Sequence, residues 1–160
     1  MSDVHHNSQP SLPLPGLLAA AKDAMVAELH GRLAGLGYGD IRDSHGCVFR
    51  FVREDGLRLT ELAARAGITK QSAGEIVDDL ERRGYVERAP DPDDRRAKII
   101  LLTERGRQAQ AAASHIFAET EERWAERFGA EQMALLRATL EAVVASEVPQ
   151  AVAGLGAVPA

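Results

Sequence analysis

Between residues 60 and 84 the start and stop signals of two helices lie so close together that the chain must fold as a tightly joined helical pair. Thr60 can cap a short helix over Glu61–Ala66, with Leu62 and Ala63 apolar, and Gly67 ends it. Thr69 can cap the next helix almost at once. In that helix Ala73, Ile76, Val77 and Leu80 form an i, i+3, i+4, i+7 stripe. It closes at Arg82-Arg83-Gly84, with basic residues beside a helix C-terminus and a glycine stop. The pattern then changes to strand-like Tyr85–Arg88 and Ala97–Leu102 around the turn material Ala89-Pro90-Asp91-Pro92-Asp93-Asp94. A helix-turn-helix followed by a β-hairpin with a charged tip is a winged helix-turn-helix.

Helices flank this unit. Leu18, Ala21, Met25, Leu29, Leu33 and Leu36 recur at three or four residues and predict an amphipathic helix that stops at Gly35–Gly39. The glycines there lack GxGxxG spacing and follow a helix, so they are no phosphate loop. A second helix is expected from about Ser44 to Arg53, with Val48, Phe51 and Val52 inward. Thr103 can cap a long helix to about Arg127 with Ile116, Phe117, Thr120, Trp124 and Phe128 along one side. A last helix, Glu131 to about Glu147, carries Met133, Leu136, Leu140, Val143 and Val144 and stops before Pro149. The expected fold class is mainly α with a small β-hairpin wing (α+β). The expected organisation is a flexible tail at 1–15, an N-terminal helix at 16–40, the winged helix-turn-helix at 41–102, C-terminal helices at 103–148 and a flexible tail at 149–160. His5 and His6 fall in the first tail and read as solvated.

At 160 residues the chain fits one domain with helical extensions, large enough to fold without disulfide or metal. Its single cysteine, Cys47, rules out an internal disulfide framework and fits a reducing compartment. No apolar run approaches a membrane span, so a cytoplasmic protein without a membrane partner is expected. The net charge of −5 is uneven. Residues 57–107 hold eleven basic and ten acidic side chains, a balance of +1, so the acidity lies elsewhere and a local basic surface is permitted. There is no nucleophile motif, H-E-x-x-H or nucleotide loop, which argues against an enzyme, and no cofactor is expected.

Four stretches together carry a family resemblance. They are Leu59-Thr-Glu-Leu-Ala-Ala-Arg-Ala-Gly-Ile-Thr-Lys-Gln-Ser72, Val77-Asp-Asp-Leu-Glu-Arg-Arg-Gly-Tyr-Val-Glu-Arg88, Asp91-Pro-Asp-Asp-Arg-Arg-Ala-Lys98 and Leu102-Thr-Glu-Arg-Gly-Arg107. Over about Leu59–Arg107 the chain closely resembles the MarR (multiple antibiotic resistance regulator) family. The resemblance implies a homodimeric winged-helix transcription regulator, usually a repressor, whose N- and C-terminal helices interlock as the dimerisation element. It also implies double-stranded DNA as partner and release by a small aromatic acid, an oxidant or a metal.

On this reading the buried stripe of the second helix turns Lys70, Gln71, Gly74, Glu75 and Asp78 outward. Thr69, Lys70, Gln71 and Ser72 form an N-terminal turn whose amides and dipole favour phosphate. Lys70 can meet phosphate or guanine, and Gln71 can pair with adenine N6 and N7. Gly74 lets the helix approach the groove closely. Gly74-Glu75 stands where many family members have Thr-Arg; Glu75 can accept from cytosine N4 or orient Lys70 or Gln71. Arg95, Arg96 and Lys98 make the wing cationic, and Asp93 and Asp94 can hold a guanidinium. The family's wing arginine enters the minor groove, and Arg96 fits that role by reading groove shape.

For the effector, the family places a pocket between the dimer helices and the winged domain, and Leu29, Leu33, Tyr38, His45, Phe49 and Phe117 match its lining. His45 can anchor a carboxylate, bind a metal, or simply pack at a helix start. Cys47 can be an oxidant sensor or a small buried apolar residue. His30, His45, Cys47 and His115 lack metal-ligand spacing, so no metal site is assigned. The alternatives to a DNA-binding regulator are a winged-helix protein-interaction module and a metal-dependent regulator using His and Cys ligands.

Overall fold

The computed structural model describes residues 12–94 and 96–147. Residues 1–11 of the expected tail at 1–15, with His5 and His6, the expected tail at 149–160, with Pro149, residue 148 and the wing residue Arg95 lie outside the described residues.

Helix α1 spans Leu14–Gly35. It begins inside the segment expected to be a tail, because Pro15 falls in the first turn, where its missing N–H has no intrahelical partner to lose. A single 3₁₀ turn, Asp43–His45, leads into α2, Gly46–Phe51. Strand β1, Leu57–Arg58, is followed without a break by α3, Leu59–Ala66, and then by α4, Lys70–Arg82. Strands β2, Val86–Pro90, and β3, Lys98–Leu102, form the wing. The long α5, Glu104–Phe128, and α6, Ala130–Glu147, complete the described chain. Among the described residues no helix is long and apolar enough to cross a membrane.

Two of the three expected helix caps stand. Thr69 Oγ1 accepts from the Ser72 amide at 3.0 Å, and Thr103 Oγ1 from the Gly106 amide at 3.1 Å. Thr60 is not a cap: Arg58 occupies that position and α3 starts at Leu59, because the chain turns directly out of β1 into the helix. Gly67 ends α3 with φ +65°, the left-handed conformation glycine adopts without strain.

The sheet is antiparallel in the order β1-β3-β2, with Leu57 opposite Ile100, Val86 opposite Leu102 and Pro90 opposite Lys98. β2 is therefore an edge strand and tolerates Pro90, which was expected in the turn. Leu57 and Ile100 turn into one core with Val48, Phe51, Val52, Leu62, Val77 and Leu80.

A polar joint ties this unit to the outer helices. Tyr85 is fully buried and its hydroxyl donates to Asp40 Oδ1 at 2.6 Å. Arg105 of α5 donates to the same hydroxyl at 2.9 Å with its guanidinium 4.6 Å above the Tyr85 ring. Burial and Asp40 together push the Tyr85 phenol up to about 12.

The outer helices are apolar on more faces than the chain covers. Of α1 only Leu33 is buried, while Leu14, Leu17 and Leu18 are exposed. On α6, Leu135, Leu136, Leu140 and Val143 are exposed. A helix apolar around its circumference ordinarily lies inside a larger packed structure.

Candidate nucleic-acid interface

Because Ala73, Val77 and Leu80 are fully buried, α4 presents Gln71, Glu75 and Asp78 to solvent, with Gly74 half-exposed between them. Thr69 and Lys70 are exposed at its N-terminus, and Ser72 is half-buried, its hydroxyl 2.8 Å from Thr69 Oγ1. Gln71 donates from Nε2 to Glu75 Oε1 at 3.2 Å.

The sheet brings a second set of cations beside this turn. A cleft of about 360 Å³ opens between the start of α3, the start of α4 and the wing. Arg58, Lys70, Arg88 and Lys98 line it, over a floor that includes Leu59, Ala97 and Ile100. Arg58 and Arg88 are held by carboxylates: Arg58 donates to Asp91 at 2.5 Å, and Arg88 to Asp78 at 2.6 Å and also to Glu81. Lys70 and Lys98 form no ion pair among the described residues. The fold thus brings one lysine of the helix turn and one of the wing into the lining of a single groove.

At the wing tip the carboxylate that organises the chain is Asp91, which sequence reasoning missed. It is 5% exposed, accepts the Asp93 amide at 2.8 Å and holds the Arg58 guanidinium. The Asp93 amide and Arg58 together keep its carboxyl below the ordinary range. The Asp91-Pro92-Asp93 run was the available signal, since an aspartate often accepts the amide two residues on. Asp93 and Asp94 flank Arg95, which lies outside the described residues, and among the described residues the guanidinium held by a wing carboxylate is that of Arg58, on Asp91. Asp94 Oδ1 accepts the Arg96 amide at 3.0 Å, and Arg96 is exposed at the tip.

Behind the interface, Asp79 of α4 is a hub. It accepts from Arg83 Nε and from Arg82, each at 2.9 Å, and lies 3.0 Å from His45 Nε2. These partners, Arg83 first, hold its carboxyl far below the usual range. His45 is 1% exposed and its other nitrogen faces the Arg42 amide at 3.1 Å, so both ring nitrogens are occupied. Burial outweighs Asp79 and lowers the imidazole pKa.

Of the expected pocket residues, Leu33 is in the core, and Leu29, Tyr38 and Phe49 are half-buried against it. The Phe49 ring meets Tyr85 edge-on at 5.9 Å. Phe117 is half-buried on α5, apart from the residues packed on that core. Cys47 is half-buried, its thiol donates to the Ser44 carbonyl at 3.4 Å, and burial raises its pKa, which disfavours the thiolate. His30 pairs with Asp43 at 2.5 Å and His115 with Glu119 at 3.7 Å. Among the described residues no three His, Cys, Asp or Glu side chains gather as a metal site.

Residues 40–97 match a family model described as the MarR family. The transcriptional repressor MprA of Escherichia coli is 39% identical over 52 residues, 32% of this chain and 30% of that protein's length. Among solved structures, that of MarR superposes with a TM-score of 0.70 at 25% identity, covering 86% of this chain and 98% of that one. CouR from Rhodococcus jostii RHA1, in complex with p-coumaroyl-CoA, gives a TM-score of 0.63 at 27% identity, covering 83% of this chain and 92% of CouR.

Proposed function

We propose that this chain is a transcription regulator of the MarR family, and that it binds a pseudo-palindromic operator in duplex DNA as a homodimer and represses transcription from it. The observation that carries this reading is the shared groove: Lys70 at the N-terminus of α4 and Lys98 on the wing line it together. α4 enters the major groove, where the amides of its first turn meet phosphate and Gln71 faces base edges. The wing tip reaches the neighbouring minor groove, and Arg96 reads its width and potential more than its sequence. Arg58 and Arg88, already neutralised by Asp91, Asp78 and Glu81, brace the two elements at a fixed distance.

Dimerisation follows from the uncovered leucines of α1 and α6, which a second copy buries. Two recognition helices about 34 Å apart then require two half-sites one DNA turn apart, or a multiple. Repression is the role named for MprA, and CouR holds an aromatic acyl thioester, which supports release by a small aromatic effector.

The test is a gel shift with DNA upstream of the chain's own gene, repeated with aromatic acids, peroxide and zinc. A discrete complex dissolved by one of these supports the reading. No complex at low salt contradicts it.

A further inference from the structure

Glu75 is exposed on the outward face of α4 and, among the described residues, is the acidic side chain of α3 and α4 that has no cation partner. On α3 and α4 every other acidic side chain is neutralised: Glu61 by Arg65, Asp78 and Glu81 by Arg88, and Asp79 by Arg82 and Arg83. Among the described residues Glu75 forms no ion pair, and its only side-chain hydrogen bond comes from Gln71. It lies a helical turn beyond Gln71, exposed, beside a glycine whose missing side chain leaves the backbone open to close approach. A bare carboxylate advanced toward a polyanion is repelled unless it meets a hydrogen-bond donor. In the major groove the donors on the bases are the amino groups of cytosine N4 and adenine N6.

We infer that Glu75 is a specificity-determining residue that reads a cytosine amino group in each half-site, with Gln71 held beside it as its partner. The proposal rests on the DNA-binding reading above. Its chemistry follows from the hydrogen bond between the two side chains. One Gln71 amide proton is spent on Glu75, which orients the Gln71 carbonyl oxygen and the second amide proton outward. Glu75 keeps oxygen lone pairs to spare and no proton, so it accepts only. It pairs with cytosine N4 and is repelled by the acceptor edge of guanine or thymine. Gln71, with an acceptor and a remaining donor, suits adenine N6 and N7 within a step or two. The site thus gains selectivity chiefly by rejecting wrong bases.

The experiment selects binding sites from a random duplex library with the full chain, Glu75→Gln and Glu75→Ala, then measures affinity on the chosen duplex. The expected result is a required cytosine at one symmetric position. Glu75→Gln moves that single preference to adenine, and Glu75→Ala relaxes it with the rest of the site unchanged. N4-methylcytosine, which keeps its pairing but loses the groove-facing donor, weakens the full chain about tenfold and leaves Glu75→Ala unaffected. Variants that merely bind every duplex more tightly, with the selected site unaltered, overturn the inference while DNA binding stands. If the full chain selects no site at all, this inference and the DNA-binding reading fall together.

Discussion

His45, at the start of α2, donates from Nε2 to Asp79 of α4 at 3.0 Å while its Nδ1 accepts the Arg42 amide at 3.1 Å. A backbone amide can only donate, so Nδ1 is the bare nitrogen and the ring is neutral. This bond ties α4 to the segment that follows α1. The imidazole pKa is lowered in the fold, so the unfolded chain binds the extra proton first. The stabilisation is complete above the ordinary histidine pKa of about 6.5 and is lost as pH falls through the lower folded value. His45→Gln should cost about 1–3 kcal/mol at neutral pH and flatten the fall in melting temperature from pH 7 to 5. An unchanged pH profile in that variant removes the role assigned to the bond.

Gly74 offers a separation of stability from binding. A Cβ there meets only Leu59 Cδ2 at 3.9 Å, an ordinary contact, and glycine inside a helix is unfavourable. Gly74→Ala should therefore stabilise the fold by about 0.5–1 kcal/mol and still weaken operator binding, because the methyl stands between helix and groove. Thermal melting and a binding titration on the same protein decide it. Unaltered affinity means that α4 does not approach DNA along this face.

Gly106 has the opposite character. Its Cβ would overlap the Tyr85 carbonyl oxygen, backbone that cannot step aside, where the first turn of α5 crosses the start of the wing. Gly106→Ala should cost roughly 3 kcal/mol or more, above the usual range for overpacking, whereas Gly46→Ala, with open space at its Cβ, should be tolerated. Chemical denaturation of the two variants compares them directly.

How far the sequence revealed this architecture depends on where each signal resides. The α4 stripe, the Gly67 stop and the caps Thr69 and Thr103 are local, and each sits within one helical turn of what it controls. β1 has two residues, too few to show a period, and exists only because β3 pairs with it. That pairing also moves the start of α3 and makes Thr60 an interior residue. Asp91 and Arg58 are 33 residues apart, and only the sheet register makes them partners. His45 and Asp79 are likewise far apart in sequence, and only the packing of α4 against the turn before α2 makes them partners. The outward set Lys70, Gln71, Gly74, Glu75 and Asp78 was legible because the apolar stripe of α4 fixes its complement.

The wing and the helix should fail differently. Arg96 is exposed at the tip and carries charge without base-specific geometry, so Arg96→Ala should weaken binding across all sequences and shallow the salt dependence by about one ion. Gln71→Ala should alter preference at one base position instead, worth about 1–3 kcal/mol there. Equal operator affinity for the unaltered chain and Arg96→Ala removes the wing from the mechanism.

The proposed function requires two copies of one chain to meet one duplex. Sedimentation equilibrium of the protein alone and with a selected operator measures this directly. The prediction is a dimer at micromolar concentration that binds as two protomers per duplex, and its dissociation by Leu136→Glu or Leu140→Glu together with loss of DNA binding. A chain that stays monomeric at that concentration, or binds the duplex one to one with affinity intact in those variants, contradicts it.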